Sequence, residues 1–239
     1  MKAQGGKSVY GASVGILMLE ARFPRIPGDM GNATTWPFPV HYKVVRGASP
    51  DRVVCKGAEG LLPTFIAAAR ELVDDGVDGV TTNCGFLSLF QEELTAALPV
   101  PVATSSLMQV AMVNRLLSPG RRAGILTISA STLTPAHLAK AGVPEGTPIG
   151  TTEGGREFTR AILSNAMELD VAAARADNIE AAQALAAAHP DLGALVLECT
   201  NMVPYAADIR EATGLPTFSI ETFVRWFQAA LVPRRYGAS

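Results

Sequence analysis

Two cysteines stand where short apolar runs pass into polar turns, in stretches that read alike: Gly79-Val-Thr-Thr-Asn-Cys-Gly85 and Leu195-Val-Leu-Glu-Cys-Thr-Asn201. Each follows a β-rich run and precedes a stretch with helical character. A thiol is a weak base at its free pKa of about 8.5, and the unpaired N–H groups of a helix start can lower that value. Cys84 and Cys199 are therefore read as an acid/base pair. One sulfur would remove a proton from one face of a carbon, and the other would return one to the opposite face. The same N–H groups could hold a carboxylate or enediolate oxygen, as an oxyanion hole does. A single free cysteine is more often a buried core residue, but two at matching positions favour chemistry. Cys55, in Val53-Val-Cys-Lys-Gly57, has no counterpart and is read as structural.

The surroundings of the two cysteines repeat. Val14-Gly-Ile-Leu17 opens one half and Ala123-Gly-Ile-Leu126 the other; 68 positions separate Ile16 from Cys84 and 74 separate Ile125 from Cys199. A period this long indicates a duplicated subdomain rather than a solenoid. Short polar side chains flank both thiols: Thr82, Asn83 and Gly85 at the first, Thr200 and Asn201 at the second. Such residues cap helices routinely, and capping is compatible with binding substrate. Thr127, Ser129 and Ser131 form a polar strand-to-helix turn that could hold a carboxylate or simply cap the next helix. Glu20, with Arg22, follows the first strand and is either a site residue or a solvated loop charge.

β-type runs alternating with helical patterns predict an α/β fold with parallel sheets. Strands are expected over 13–19, 40–45, 77–82 and 101–104, then over 122–128, 147–151, 194–198 and 216–220. Helices are expected over 59–75, 86–98, 132–141, 156–174, 178–189, 202–213 and 221–231, with Leu62, Ile66, Ala69 and Val73 on one face of the first. Residues 23–38, rich in Pro and Gly, read as a long loop of the kind that covers a binding site. Ligands of open parallel sheets bind beyond the carboxyl ends of the strands. Cys84, Cys199, Glu20 and the Thr127–Ser129 turn all lie at such ends. The expected division is residues 1–108 plus 222–239, and 109–221. These are two similar parallel-sheet subdomains about a pseudo-two-fold axis, with the active site in the cleft between them.

Composition narrows the function. The chain has 239 residues, 48% of them hydrophobic, and a formal net charge of −2. That buries a sizeable core and, without a basic block, gives no footprint for nucleic acid. The apolar runs fall short of the roughly 20 residues a membrane span needs. The first residues lack a signal-peptide apolar region, so a cytoplasmic location is expected. Three cysteines without Cys-x-x-Cys read as free thiols. His41, His137 and His189 are scattered, without zinc-ligand spacing, so no metal is expected. Neither GxGxxG nor GxxxxGK[ST] occurs, which leaves dinucleotide and P-loop nucleotide binding without support. A small-molecule carboxylate is the expected partner, bound by a homo-oligomer.

The Thr-Asn-Cys-Gly and Leu-Glu-Cys-Thr motifs, in order and within a repeat, resemble the aspartate/glutamate/hydantoin racemase superfamily over nearly the whole chain. The resemblance implies two similar α/β subdomains, cofactor-independent proton transfer and Cys84 and Cys199 as the acid/base pair. Thr82, Asn83, Thr200 and Asn201 would be substrate contacts. Glutamate racemases usually carry Cys-Asn-Thr and Cys-Thr-His, whereas here Gly85-Phe86 follows the first cysteine and Asn201 stands in place of the histidine. Arylmalonate decarboxylases retain only the second cysteine, so Cys84 argues against decarboxylation. Asn-Cys-Gly-Phe with Phe90-Gln91, Leu-Glu-Cys-Thr, Pro204-Tyr205 and Thr213-Gly-Leu-Pro216 are also similar to the algal dimethylsulfoniopropionate lyases of this superfamily. The resemblance therefore implies a racemase or epimerase of an amino acid or related carboxylic acid, with a lyase working through the same carbanion as the alternative.

Overall fold

A computed structural model describes residues 5–234 and 236. Two four-stranded, wholly parallel sheets form its frame. The first contains β1 (Val14–Leu19), β2 (Val40–Val45), β3 (Gly79–Thr82) and β4 (Val102–Ala103) in the order β2-β1-β3-β4. The second contains β5 (Arg122–Thr127), β6 (Ile149–Thr151), β7 (Leu192–Leu197) and β8 (Thr217–Phe218) in the order β6-β5-β7-β8. Strand for strand the two orders are the same, so the repeat in the sequence is a repeat of topology. β1 is buried at every position and β7 at all but one, which is why both read as continuous apolar runs: helices cover both sheet faces.

The helices are α1 (Leu62–Asp75), α2 (Gln91–Ala97), α3 (Val110–Leu116), α4 (Pro135–Lys140), α5 (Phe158–Leu163), α6 (Val171–Ala188), α7 (Ala206–Thr213) and α8 (Ile220–Leu231). In α1 the fully buried residues are Phe65, Ala68, Ala69 and Leu72. The face is rotated from the one expected: Leu62, Ile66 and Val73 flank it, half-buried. Gly76, at φ 115°, adopts the left-handed conformation that ends the helix. α8 packs back onto the first sheet, where Phe223, Val224 and Phe227 join Val14, Ile16 and Met18 with Met30 and Trp36 of the 23–38 loop.

Several expectations need correction. The long helices expected over 156–174 and 178–189 are instead α5 and α6, with the break at 164–170. Asn165 turns the chain there with a left-handed φ of 56°, and Asp170 caps α6 by accepting from the N–H groups of Ala172 and Ala173, both at 3.0 Å. α3 and a single π-type turn at Asp51–Cys55 carried no periodic signal long enough to read. The segments after the two cysteines, Gly85–Phe90 and Thr200–Tyr205, are 3₁₀ turns that precede α2 and α7. Among the described residues, no helix is long and apolar enough to cross a membrane.

Candidate active site

Both cysteines lie two residues beyond a strand end, Cys84 after β3 and Cys199 after β7. In each sheet the neighbours of β1 or β5 lie on opposite sides, so the crevice at the topological switch point opens beside β3 and β7. The two motifs touch directly. Thr200 Oγ1 donates to the carbonyl of Asn83 at 2.7 Å, and Asn83 Oδ1 accepts from the N–H of Leu19 at 2.7 Å, tying three strand ends together. Ser106 Oγ donates to the carbonyl of Leu197, and Ser88 Oγ to that of His137 at 3.0 Å. These bonds cross between the sheets and fix the cysteine turns against each other.

A small pocket lies at this junction. Cys84, Cys199, Asn83, Gly85, Thr200 and Asn201 all line it, with apolar walls from Leu19, Phe23, Val54, Phe86, Ile128 and Ile162. Both thiols are buried and free. The 23–38 loop contributes Phe23 and Arg25 to the cavity wall. It is held there by Asp29, which accepts from Arg25 Nη1 at 2.8 Å, from the N–H of Gly31 at 2.7 Å and from Asn201 Nδ2. Asn201 Oδ1 in turn accepts from Cys199 Sγ at 3.6 Å. A chain of polar contacts thus runs from the loop to one of the two sulfurs.

Two residues of this site escaped the sequence reading. Glu198 lines the cavity and is 0% exposed. Thr127 Oγ1 donates to its Oε2 at 2.8 Å, while Oε1 has no partner. Burial raises its carboxyl pKa from 4.5 to about 7, against the hydrogen bonds from Thr127 and the N–H of Ile128. Gly85 makes room for it: a Cβ there would lie 2.2 Å from Glu198 Oε1. The second is Arg25, whose Nη2 is buried and unpartnered. The signal for Glu198 was a carboxylate inside an otherwise apolar strand end. For Arg25 there was none, because its placement depends on the loop's fold.

The electrostatics correct one expectation. Burial pushes the Cys84 thiol far above its ordinary range, and Glu198 adds to the rise; the N–H groups of Phe86 and Leu87 and the Arg25 charge only partly oppose it. Cys199 is raised in the same way by burial and Glu198, with a smaller contribution from Cys84 itself. The short 3₁₀ turns supply N–H groups but too little positive potential to offset desolvation. Both sulfurs are therefore neutral thiols at neutral pH, and of the three groups Glu198 ionises first.

The remaining candidates lie outside the cavity lining. Thr82 Oγ1 donates to the carbonyl of Thr104 at 2.7 Å and shapes the Cys84 turn. Thr127 positions Glu198. The Ser129–Ser131 turn does hold a carboxylate, but it is the chain's own: Glu153 accepts from Ser129 Oγ at 2.7 Å, the N–H of Ala130 at 2.9 Å, the N–H of Ser131 at 3.1 Å and Ser131 Oγ. Burial opposes the charge there, yet these donors hold the Glu153 pKa below its usual value. Glu20 is likewise engaged by the chain, by the N–H of Gly47 at 2.9 Å and Arg46 Nη1 at 2.8 Å. Those two turns are internally saturated.

No known family model matches the chain. It is similar to a dimethylsulfoniopropionate lyase from Durusdinium sp. clade D, 28% identical over 229 residues, covering 90% of this chain and 75% of that protein. Dimethylsulfoniopropionate lyase 7 of Emiliania huxleyi is 27% identical, covering 95% and 70%. Among solved structures, a cysteine-for-glycine mutant of arylmalonate decarboxylase aligns with TM-score 0.61 at 18% identity, covering 94% of this chain and 96% of that one. Picrophilus torridus aspartate racemase aligns with TM-score 0.56 at 12% identity, covering 95% and 96%.

Proposed function

From the fold of the aspartate/glutamate/hydantoin racemase superfamily, which this chain carries, we propose that it is an enzyme of carbon-acid chemistry needing no cofactor. Cys84 and Cys199 would move the α-proton of a small carboxylate. The observation that carries this reading is that two buried thiols from equivalent strand ends line one pocket. One sulfur, as thiolate, takes the α-proton; the carbanion's charge passes onto the substrate carboxylate as an enediolate. The other sulfur, as thiol, delivers a proton to the opposite face, giving a racemase or epimerase. The apolar walls of the pocket limit the access of bulk water to the carbanion. Because Glu198 ionises before either thiol, its carboxylate takes the thiol's proton as the thiolate forms, and its unpartnered Oε1 is free to do so.

A second reading shares the first step: the carbanion expels a β-substituent in place of reprotonation. The sequence relatives favour it, since both of those described above are dimethylsulfoniopropionate lyases. Asn83, Gly85, Thr200 and Asn201 belong to the proposed substrate shell. A two-subdomain division at 1–108 plus 222–239 and 109–221, a homo-oligomeric assembly and a cytoplasmic location complete the proposal. Proton NMR in D₂O with a panel of amino acids, hydantoins and sulfonium acids tests it, because α-deuteration, racemisation and elimination are read in one spectrum. Absence of all three across the panel contradicts carbon-acid chemistry.

A further inference from the structure

Resting on that reading, the placement of Arg25 deepens it. Among the described residues lining the cavity, Arg25 is the one basic side chain. Its guanidinium is engaged on one edge only: Nη1 pairs with Asp29 Oδ1 at 2.8 Å, while Nη2 is buried without a partner. The group lies 4.7 Å from the Phe23 ring centroid, and the side chain is 15% exposed. The loop is built around it. A Cβ on Gly31 would lie 2.4 Å from Arg25 Cδ, so this glycine gives the side chain its room. Asn32 Nδ2 holds the Arg25 carbonyl at 2.9 Å.

A buried guanidinium N–H without a partner is costly unless a ligand completes it. Guanidinium geometry suits a carboxylate, and the pairing is strong where water is excluded. The rest of the cavity bears on what else the ligand carries. Its other ionisable groups are the carboxyl of Glu198 and the two thiols, all of which repel added negative charge when ionised, and its walls are apolar. A second carboxylate on the ligand would find no cation.

We propose that Arg25 is the carboxylate anchor of the site and that its substrates are small monocarboxylates, whose remaining arm carries no negative charge. Dicarboxylic acids are excluded by the cavity's charge balance. The anchor sits on the substrate's carboxylate and leaves the α-carbon to the two sulfurs. Asp29, which orients the guanidinium and also accepts from Asn201, couples correct seating of the anchor to the Cys199 side of the cavity.

The test is direct binding of propanoate and of succinate by isothermal titration calorimetry to wild type, Arg25→Gln and Arg25→Lys. One charged hydrogen bond is worth roughly ten- to hundredfold in affinity. Propanoate should bind wild type at least tenfold more tightly than succinate. Its affinity should fall roughly ten- to hundredfold in Arg25→Gln and by less in Arg25→Lys. Because removal of Arg25 could unseat the loop, ¹⁵N-detected NMR of arginine side chains in the wild type gives a second readout: propanoate should shift and sharpen one buried guanidinium signal. Unchanged propanoate affinity in both variants, or no arginine response in the wild type, overturns the anchor. Succinate binding as tightly as propanoate overturns the monocarboxylate class. Neither measurement needs turnover. Propanoate binding through Arg25 with no α-exchange on any acid would leave the anchor standing and remove the catalytic reading.

Discussion

Replacing Glu198 by glutamine should change how stability depends on pH more than it changes stability itself. The Glu198 carboxyl is buried, and its pKa is raised from 4.5 to about 7 in the folded protein. Between these values the folded state binds the proton more tightly than the unfolded chain. Stability from this group is therefore complete below pH 4.5 and is lost as pH rises towards 7. A shift of about 2.5 units at 1.36 kcal/mol per unit gives a loss of about 3 kcal/mol. For a chain of this size that is roughly 6–12 °C in melting temperature. Glu198→Gln keeps the shape and removes the titration. Urea unfolding of both proteins from pH 4 to pH 8 should show wild type losing about 3 kcal/mol relative to the variant, most of it between pH 5 and 7. Glutamine can introduce a constant offset through its own unsatisfied amide, so the slope is the readout. A wild-type-minus-variant difference that stays flat across this range would show that Glu198 titrates normally and would refute its assignment as a neutral carboxyl beside the thiols.

The other perturbations separate site from scaffold. Gly85→Ala must displace both the Glu198 carboxyl and the Glu198 backbone carbonyl, 2.4 Å from the added Cβ; overpacking of this kind costs about 1–3 kcal/mol, so a thermal melt should fall, and an unchanged melt would show that the two cysteine turns are not packed together as described. Asn201→Ala removes the contact from Asp29 to the Cys199 side. Limited proteolysis should then cut within 23–38 faster than in wild type, and an equal rate would mean that the loop is held by packing alone. Glu153→Ala should cost stability at neutral pH by emptying the Ser129–Ser131 turn, an effect that fades as pH falls through the lowered Glu153 pKa, because only the charged form accepts these bonds. Its α-deuterium exchange rate should match wild type within a few-fold; loss of exchange would return that turn to the active site.

Much of this arrangement was legible in the residues. Val14–Leu17 and Ala123–Leu126 mark the central strands because a parallel strand covered on both faces must be apolar throughout. The cysteine turns at the ends of β3 and β7 follow from the same logic, whereas the superfamily resemblance rests on the Thr-Asn-Cys-Gly and Leu-Glu-Cys-Thr motifs themselves. Local signals served less well where tertiary contacts decide. Alanine-rich sequence between 156 and 189 supports a helix almost anywhere, so Asn165 and the Asp170 cap, not propensity, set its boundaries. Ser129 and Thr127 had the right chemistry for a carboxylate, but only the fold reveals that Glu153 and Glu198 already occupy them. The raised thiol pKa values depend on burial and on Glu198 together, neither of which can be read from the cysteine motifs.

Deuterium exchange by the two single-cysteine variants tests the central claim most directly. Cys84→Ser and Cys199→Ser should each abolish net racemisation when incubated in D₂O with an acid the wild type turns over; on a substrate with a β-leaving group the loss of elimination should instead be sharply asymmetric, because only one sulfur serves as base. On a chiral substrate, each variant should still exchange α-deuterium from one enantiomer only, and the two variants should choose opposite enantiomers, because each remaining thiol faces one side of the α-carbon. Full wild-type activity in either variant would contradict the account by removing that sulfur from the mechanism.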